Sequence, residues 1–313
     1  MIKIAKTRCY TKTALVIAWA SLMVAHMSHS ALQGGALTKA RRESESSSEC
    51  MHRFRAILHD EVRNPTKRRD TGEGYIDHDY QMAQIATAFR NLVRPRTPEG
   101  PATPGPEELA ALNAFLDEEK LPEARDVFLI VLGWCGDEGT ADKLVQIAAT
   151  SPGPFLRRSA IASIRQVGDL ATIPDLIQCL SDDGQSSPRM DPTSGKLKTS
   201  FPVRRAAAFV LRKFGVPVEE LENCIYRPDR RAAVSVLDQE LKTATQERSL
   251  KLIEAVSRVG GEDARKCLTD FVESNQSNAA KKELVSEAKR LLSELADAAL
   301  APGATNTPEQ ELK

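Results

Sequence analysis

The stretch Leu156-Arg157-Arg158-Ser159-Ala160-Ile161-Ala162-Ser163-Ile164-Arg165-Gln166-Val167-Gly168-Asp169 decides the fold. Counting back from Gly168, apolar residues stand at one, four, seven and eight positions: Val167, Ile164, Ile161 and Ala160. These offsets trace one face of an α-helix. The glycine that follows suits a left-handed stop. The same frame returns at three other glycines. Before Gly136 the positions hold Cys135, Leu132, Leu129 and Phe128; before Gly215 they hold Phe214, Leu211, Ala208 and Ala207. Before Gly260 they hold Val259, Val256, Ile253 and Leu252. Eleven residues ahead of the glycine stands Arg125, Arg157 or Arg204, with Ser249 breaking the series. A second apolar helix follows Gly168, carried by Ile173, Leu176, Ile177 and Leu180 with Pro174 in its first turn. A unit with one apolar face cannot bury it alone, so a helix pair repeated along the chain implies stacking.

Two of these stretches, Leu156 to Asp169 and Val203-Arg204-Arg205-Ala206-Ala207-Ala208 to Gly215, resemble HEAT repeats of the type described in phycobilisome lyases. The resemblance covers about 107–299. It implies an all-α fold: an α-solenoid of stacked antiparallel helix pairs winding as a right-handed superhelix, a form commonly used to hold other proteins. It also implies that the first arginine of a pair such as Arg157-Arg158 is a structural ladder residue meeting an aspartate in a neighbouring turn. The glycine intervals are uneven, because a polar insertion, 184–200, falls in the second and an extra helix near 229–242 falls in the third.

Outward from the repeats, Pro95 to Pro106 holds five prolines and two glycines and reads as a linker, 95–106, rather than helix or sheet interior. Ahead of it, 31–94 forms an N-terminal segment with a polar lead-in and helical stretches near 43–62 and 77–94. The repeat domain spans 107–300, and 301–313 reads as a disordered tail. No alternating strand pattern stands out. The first thirty residues form an address. Lys3, Lys6, Arg8 and Lys12 precede the apolar run Ala14 to Ala25, and Ser-His-Ser closes it before Ala31. That run falls well short of the ~20 residues a membrane span needs, and the whole reads as a secretory signal over 1–30. The expectation is export to the periplasm or the extracellular space, with tethering by an uncleaved signal anchor as the alternative and no membrane span once the signal is removed.

The chain has 43 Lys+Arg against 43 Asp+Glu, is 41% hydrophobic and only 5% aromatic. These fractions fit a globular chain and exclude a multi-span membrane protein or a wholly disordered one. Losing the four signal cations leaves 39 Lys+Arg against 43 Asp+Glu, a net charge of −4. Strongly electrostatic nucleic-acid binders have the opposite sign, so no nucleic-acid partner is expected. Five cysteines remain, Cys50, Cys135, Cys179, Cys224 and Cys267, most within apolar helical patterns. Buried thiols are the expectation, with Cys179 and Cys224 the first pair to test for a bridge.

Candidate binding residues lie just ahead of the glycines. Arg165, Arg212, Lys213 and Arg258 fall two or three positions before them, which makes a basic stripe suited to an acidic partner or simply cations complementing helix dipoles. Trp134 occupies a position that is polar in the other three repeats, beside Gly133. Such a residue anchors either the protein's own N-terminal segment or a protein partner. Cys50, His52, His59 and His78 form a Cys/His cluster with nearby Asp77 and Asp79. Zinc accepts such donors, but the spacing matches no established metal pattern and solvated histidines are the favoured reading.

There is no Gly-rich phosphate loop, no Gly-x-Ser-x-Gly and no His-Glu-x-x-His. Deoxyhypusine hydroxylases, HEAT-like enzymes with a di-iron centre, rely on repeated His-Glu pairs, and this sequence has none. HEAT-like DNA glycosylases use a markedly basic groove that the net charge does not favour. The resulting expectation is a non-catalytic protein-binding scaffold with no cofactor. The alternative is an enzyme, lyase-like by family analogy or metal-dependent through the 50–79 cluster.

Overall fold

The computed structural model describes residues 47–63, 85–93, 96–97, 100–101, 105–186, 189–190 and 197–300. Residues 1–46, with the stretch read as a signal, lie outside them, as do His78 and residues 301–313. The described fold is all-α: a solenoid of stacked helix pairs carrying three two-stranded ribbons. The helices are α1 (Ser47–Arg63), α2 (85–93), α3 (Pro106–Glu118), α4 (Pro122–Cys135), α5 (Glu138–Thr150), α6 (Pro154–Val167), α7 (Ile173–Cys179) and α8 (Pro202–Lys213). They continue as α9 (Arg230–Leu241), α10 (Gln246–Val259), α11 (Gly261–Asn275) and α12 (Lys282–Leu300), with a 3-10 turn, Leu170–Thr172, leading into α7.

Local chemistry sets the helix ends. Proline at the first helical positions starts α3, α4, α6 and α8, where its missing N–H is no loss. Asp137 starts α5 through a capping box: its carboxylate accepts from the Thr140 backbone N–H at 3.0 Å, and the Asp137 N–H donates back to Thr140 Oγ1. Gly168 closes α6 at φ +80°, the left-handed conformation that L side chains resist.

Packing follows the repeat frame. The residues four, seven and eight positions before each of the four glycines are buried in every case. α4, α6 and α8 lie side by side as one layer; α3, α5 and α7 back them as the other. α4 and α6 approach closely at Gly133, where an added Cβ would lie 2.9 Å from Ser163 Cα. α1 and α2 close the N-terminal end of the stack through an aromatic chain, Phe54 to Phe89 to Phe128, with centroids 5.5 Å apart at each step. Phe128 belongs to the first repeat's buried face, so the segment covers apolar surface the stack would otherwise expose.

At the other end the regular stacking gives way. Although α10 carries the fourth copy of the apolar frame, it seats on α7 and the 3-10 turn, with α9, α11 and α12 completing a C-terminal bundle around it. The ribbons are the other difference from the sequence reading. Arg96–Thr97 pairs with Gly100–Pro101 inside the Pro-rich linker, Arg189–Met190 with Leu197–Lys198 inside the insertion, and Val218–Glu220 with Tyr226–Pro228 between α8 and α9. Strands of two or three residues are too short to show a period of two, and a two-stranded ribbon has no interior to exclude proline. The insertion is anchored at its base by the Ser186 and Ser200 hydroxyls, 2.7 Å apart.

Candidate functional site

The candidate surface is the solvent face of α6 and α8. The helices run in parallel, so equivalent positions sit next to one another. α6 contributes Arg157, Arg158 and Arg165; α8 contributes Arg204, Arg205, Arg212 and Lys213; neither helix contains Asp or Glu. Three of these cations are tied down internally. Arg157 grips the Asp182 carboxylate with two bonds, at 2.9 and 3.0 Å, and also donates to the Ser151 carbonyl. Arg204 donates to the backbone carbonyl of the same Asp182. The Arg157–Asp182 pair is the arginine–aspartate contact that the family resemblance implies, whereas Arg204 meets only the backbone of Asp182. Arg212 turns onto the Val218 carbonyl, at 2.6 and 3.1 Å.

Phe209 stands at the centre of the remaining cations, 47% exposed. The Arg165 guanidinium lies 5.4 Å from its ring centroid and the Lys213 ammonium 5.7 Å. Both charges lie within cation–π range of the ring. Phe209 was not legible as a site residue because it falls six positions before its glycine, off the buried stripe. An aromatic residue on the outer face of a repeat helix is the signal that was available.

The other sequence candidates go elsewhere. Trp134 is half-buried, with the Arg90 guanidinium of α2 over its ring at 5.1 Å, so it meets the protein's own N-terminal segment. Arg258 on α10 forms a salt bridge with Asp175 on α7, in the joint between the C-terminal bundle and the stack. Arg165 and Lys213 are thus brought together, while Trp134 and Arg258 sit in separate contacts.

The Cys/His cluster is dispersed as far as it is described. Cys50 is buried and receives Arg53 at its sulfur, 3.5 Å away. His52 packs edge-on against Phe115, with centroids 5.0 Å apart. His59 pairs through Nε2 with Glu119. Burial raises the pKa of Glu119, but the N–H groups of Leu121 and Lys120 and the His59 ring more than offset this and hold it below its usual value. Among the described residues, no group of three or more His, Cys, Asp and Glu is placed to hold a metal ion. All five described cysteines are free, Cys179 and Cys224 included. Burial pushes the Cys179 and Cys267 thiols up to about 12, which leaves them protonated and unreactive at neutral pH.

Besides a cleft of about 560 Å³ lined by Leu170, Phe214, Val236 and Glu240, two more open on the described residues. One of about 500 Å³ contains Asp137, Asp169, Glu240 and Arg248, but Asp137 caps α5 and Asp169 pairs with Arg248. The other, about 210 Å³ between α5 and α7, is lined by Val145, Ala148, Leu176 and Cys179, with Asp175 at its rim taken by Arg258. In the smaller cleft the Cys179 thiol shares the lining with Asp175 and Asp182, whose carboxylates are paired with Arg258 and Arg157. No described helix is long and apolar enough to cross a membrane.

The packing defines the class: a helical-repeat protein, an α-solenoid of stacked helix pairs. Residues 156–182 match the family model of the PBS lyase HEAT-like repeat, which places a repeat of that family at α6, the 3-10 turn and α7. Among solved structures, human deoxyhypusine hydroxylase in complex with glycerol superimposes at 13% identity and a TM-score of 0.27, covering 79% of this chain and 98% of that one. A designed armadillo repeat protein in complex with the peptide (KR)4 superimposes at 16% identity and a TM-score of 0.28, covering 77% of this chain and 99% of that one. No curated protein matches the sequence.

Proposed function

We propose that this protein is an exported, non-catalytic scaffold that binds a protein partner on the α6–α8 face, through Arg165, Lys213 and the exposed ring of Phe209. The observation that carries the reading is Phe209, half-exposed between two cations that have no carboxylate of their own among the described residues. A large ring at the surface, flanked by charges, has the character of an interface anchor, an apolar centre with a polar rim. The N-terminal basic, apolar and small-residue pattern supports export.

Site-specific photo-cross-linking tests the binding. A photoreactive residue placed at exposed Gln166 should trap a defined partner, and the same residue at exposed Lys289 on α12 should not. Equal trapping at both positions, or none at either, removes the scaffold reading. N-terminal sequencing of the protein recovered from the expressing cell tests export; an intact Met1 on cytosolic protein contradicts it.

A further inference from the structure

We infer that the partner presents a compact acidic segment, whose carboxylates bind among Arg158, Arg165, Arg205 and Lys213 while its apolar side chains cover Phe209. This deepens the scaffold reading and rests on it.

The first argument is charge imbalance. The whole chain balances 43 cations with 43 anions, yet α6 and α8 carry seven cations and no carboxylate. Elsewhere, several surface cations are matched within the protein: Lys143 with Asp117, Lys242 with Asp238, Lys251 with Asp142, and Arg290 with Glu287 and Glu294. Unmatched ones among the described residues, such as Arg227, Arg231 and Lys289, are scattered over separate elements rather than gathered on adjacent helices. Among the described residues, none of Arg158, Arg165, Arg205 and Lys213 forms an ion pair.

The second argument is position. Cations in a helix's last turn complement its dipole, which accounts for Arg165 and Lys213 without a ligand. It does not account for Arg205, in the first turn of α8, or for Arg158, one residue beyond the first turn of α6. At that end the dipole favours anions, so exposed arginines there lower helix stability unless something negative meets them.

The third argument is spacing and boundary. Arg158 and Arg165 are seven residues apart, hence on one face and about 10 Å apart along the axis. Arg205 and Arg212 repeat that spacing on a neighbouring axis about 8–10 Å away. The equivalent central positions are Ala162 and Phe209, which leaves the aromatic ring standing beside a small residue. Acids surround this patch. On one side α4 presents exposed Glu123; on the other the ribbon after α8 presents exposed Glu219 and Glu220, and the 3-10 turn joining its strands presents Glu222. An extended phosphate backbone or a flat anionic bilayer would run into those carboxylates. A short acidic stretch of a folded or helical protein, with acids two helical turns apart, would not.

The test uses the full chain and a labelled short helical peptide with glutamates about two turns apart and a tyrosine between them, read by fluorescence anisotropy, with the glutamine version of the same peptide as control. The acidic probe should bind saturably and weaken steeply with added salt. The charge-reversed variant Arg165→Glu/Lys213→Glu should lose at least about tenfold in affinity, and Phe209→Ala should weaken binding while circular dichroism stays unchanged. Arg290→Glu on α12 should leave binding as it was. The inference is overturned if the acidic probe does not bind, if it binds the charge-reversed variant equally, or if phosphatidylglycerol vesicles or oligothymidine bind this face more tightly. If the acidic probe fails but cross-linking at Gln166 still traps a protein, the scaffold survives and the acidic assignment does not. If both fail, neither stands.

Discussion

Asp169 and Arg248 join the repeat stack to the C-terminal bundle, with the guanidinium Nη1 2.6 Å from the carboxylate Oδ1. The Asp169 side chain is 1% exposed and that of Arg248 10%, so neither charge has water to fall back on. Asp169 also caps the 3-10 turn by accepting from the Ala171 N–H at 2.9 Å. The residue that shapes the turn after α6 is therefore the one that receives α10.

Removing one member of a buried pair strands the other. Asp169→Asn keeps the cap acceptor and removes the charge, which isolates the ion pair. It should destabilise the protein by about 3–5 kcal/mol in urea unfolding. The double variant Asp169→Asn/Arg248→Met should recover part of that loss. If the two single losses simply add, the pair does not act as a unit.

Gly133 separates two opposing effects. Alanine favours an ordinary helix interior by about 1 kcal/mol relative to glycine. At Gly133 the new Cβ would lie 2.9 Å from the Ser163 backbone, and overpacking of that kind costs about 1–3 kcal/mol. Gly133→Ala should therefore destabilise, as measured by thermal unfolding. Stabilisation would mean that α4 and α6 can move apart.

Gly168 tests conformation alone, because a Cβ there meets no atom within 4 Å. Its φ of +80° still penalises an L side chain, so Gly168→Ala should cost about 1–2 kcal/mol. Gly168→Asn should cost less. Equal denaturation midpoints for the alanine variant and wild type would contradict the left-handed cap.

Glu119 gives the pH dependence. Its folded pKa lies below the ordinary 4.5, so its contribution is present above that value and is lost as pH falls through the folded pKa. Glu119→Gln should lower stability at pH 7 by about 2 kcal/mol, since it weakens charge-assisted bonds to Leu121, Lys120 and His59. The gap between variant and wild type should narrow below about pH 4.5. A gap that stays constant down to acid unfolding would show that the carboxylate contributes no linkage.

Local information carried much of this architecture. The offsets ahead of Gly136, Gly168, Gly215 and Gly260 identified the buried faces of α4, α6, α8 and α10, because helical periodicity is set by backbone geometry and needs no neighbours. Pro174 in the first turn of α7 and Gly168 at the stop of α6 were legible for the same reason. The site was only half legible. Arg165, Arg212 and Lys213 were found from their place in the repeat, but nothing local distinguishes the Arg212 that bonds Val218 from the Arg165 that stacks on Phe209.

What only the tertiary structure decided is where each face goes. By sequence alone α10 is the next copy in the series, yet it packs on α7 and the 3-10 turn, held by Arg248 on Asp169 and Arg258 on Asp175. Those contacts span long stretches of chain, and their partners are chosen by shape and charge after the helices exist. The same holds for Arg90 over Trp134 and for the aromatic chain from Phe54 to Phe128. A periodic sequence specifies that a helix has an apolar side, because that follows from one turn to the next. Which surface covers that side depends on every other surface available, and that is settled only when the chain closes on itself.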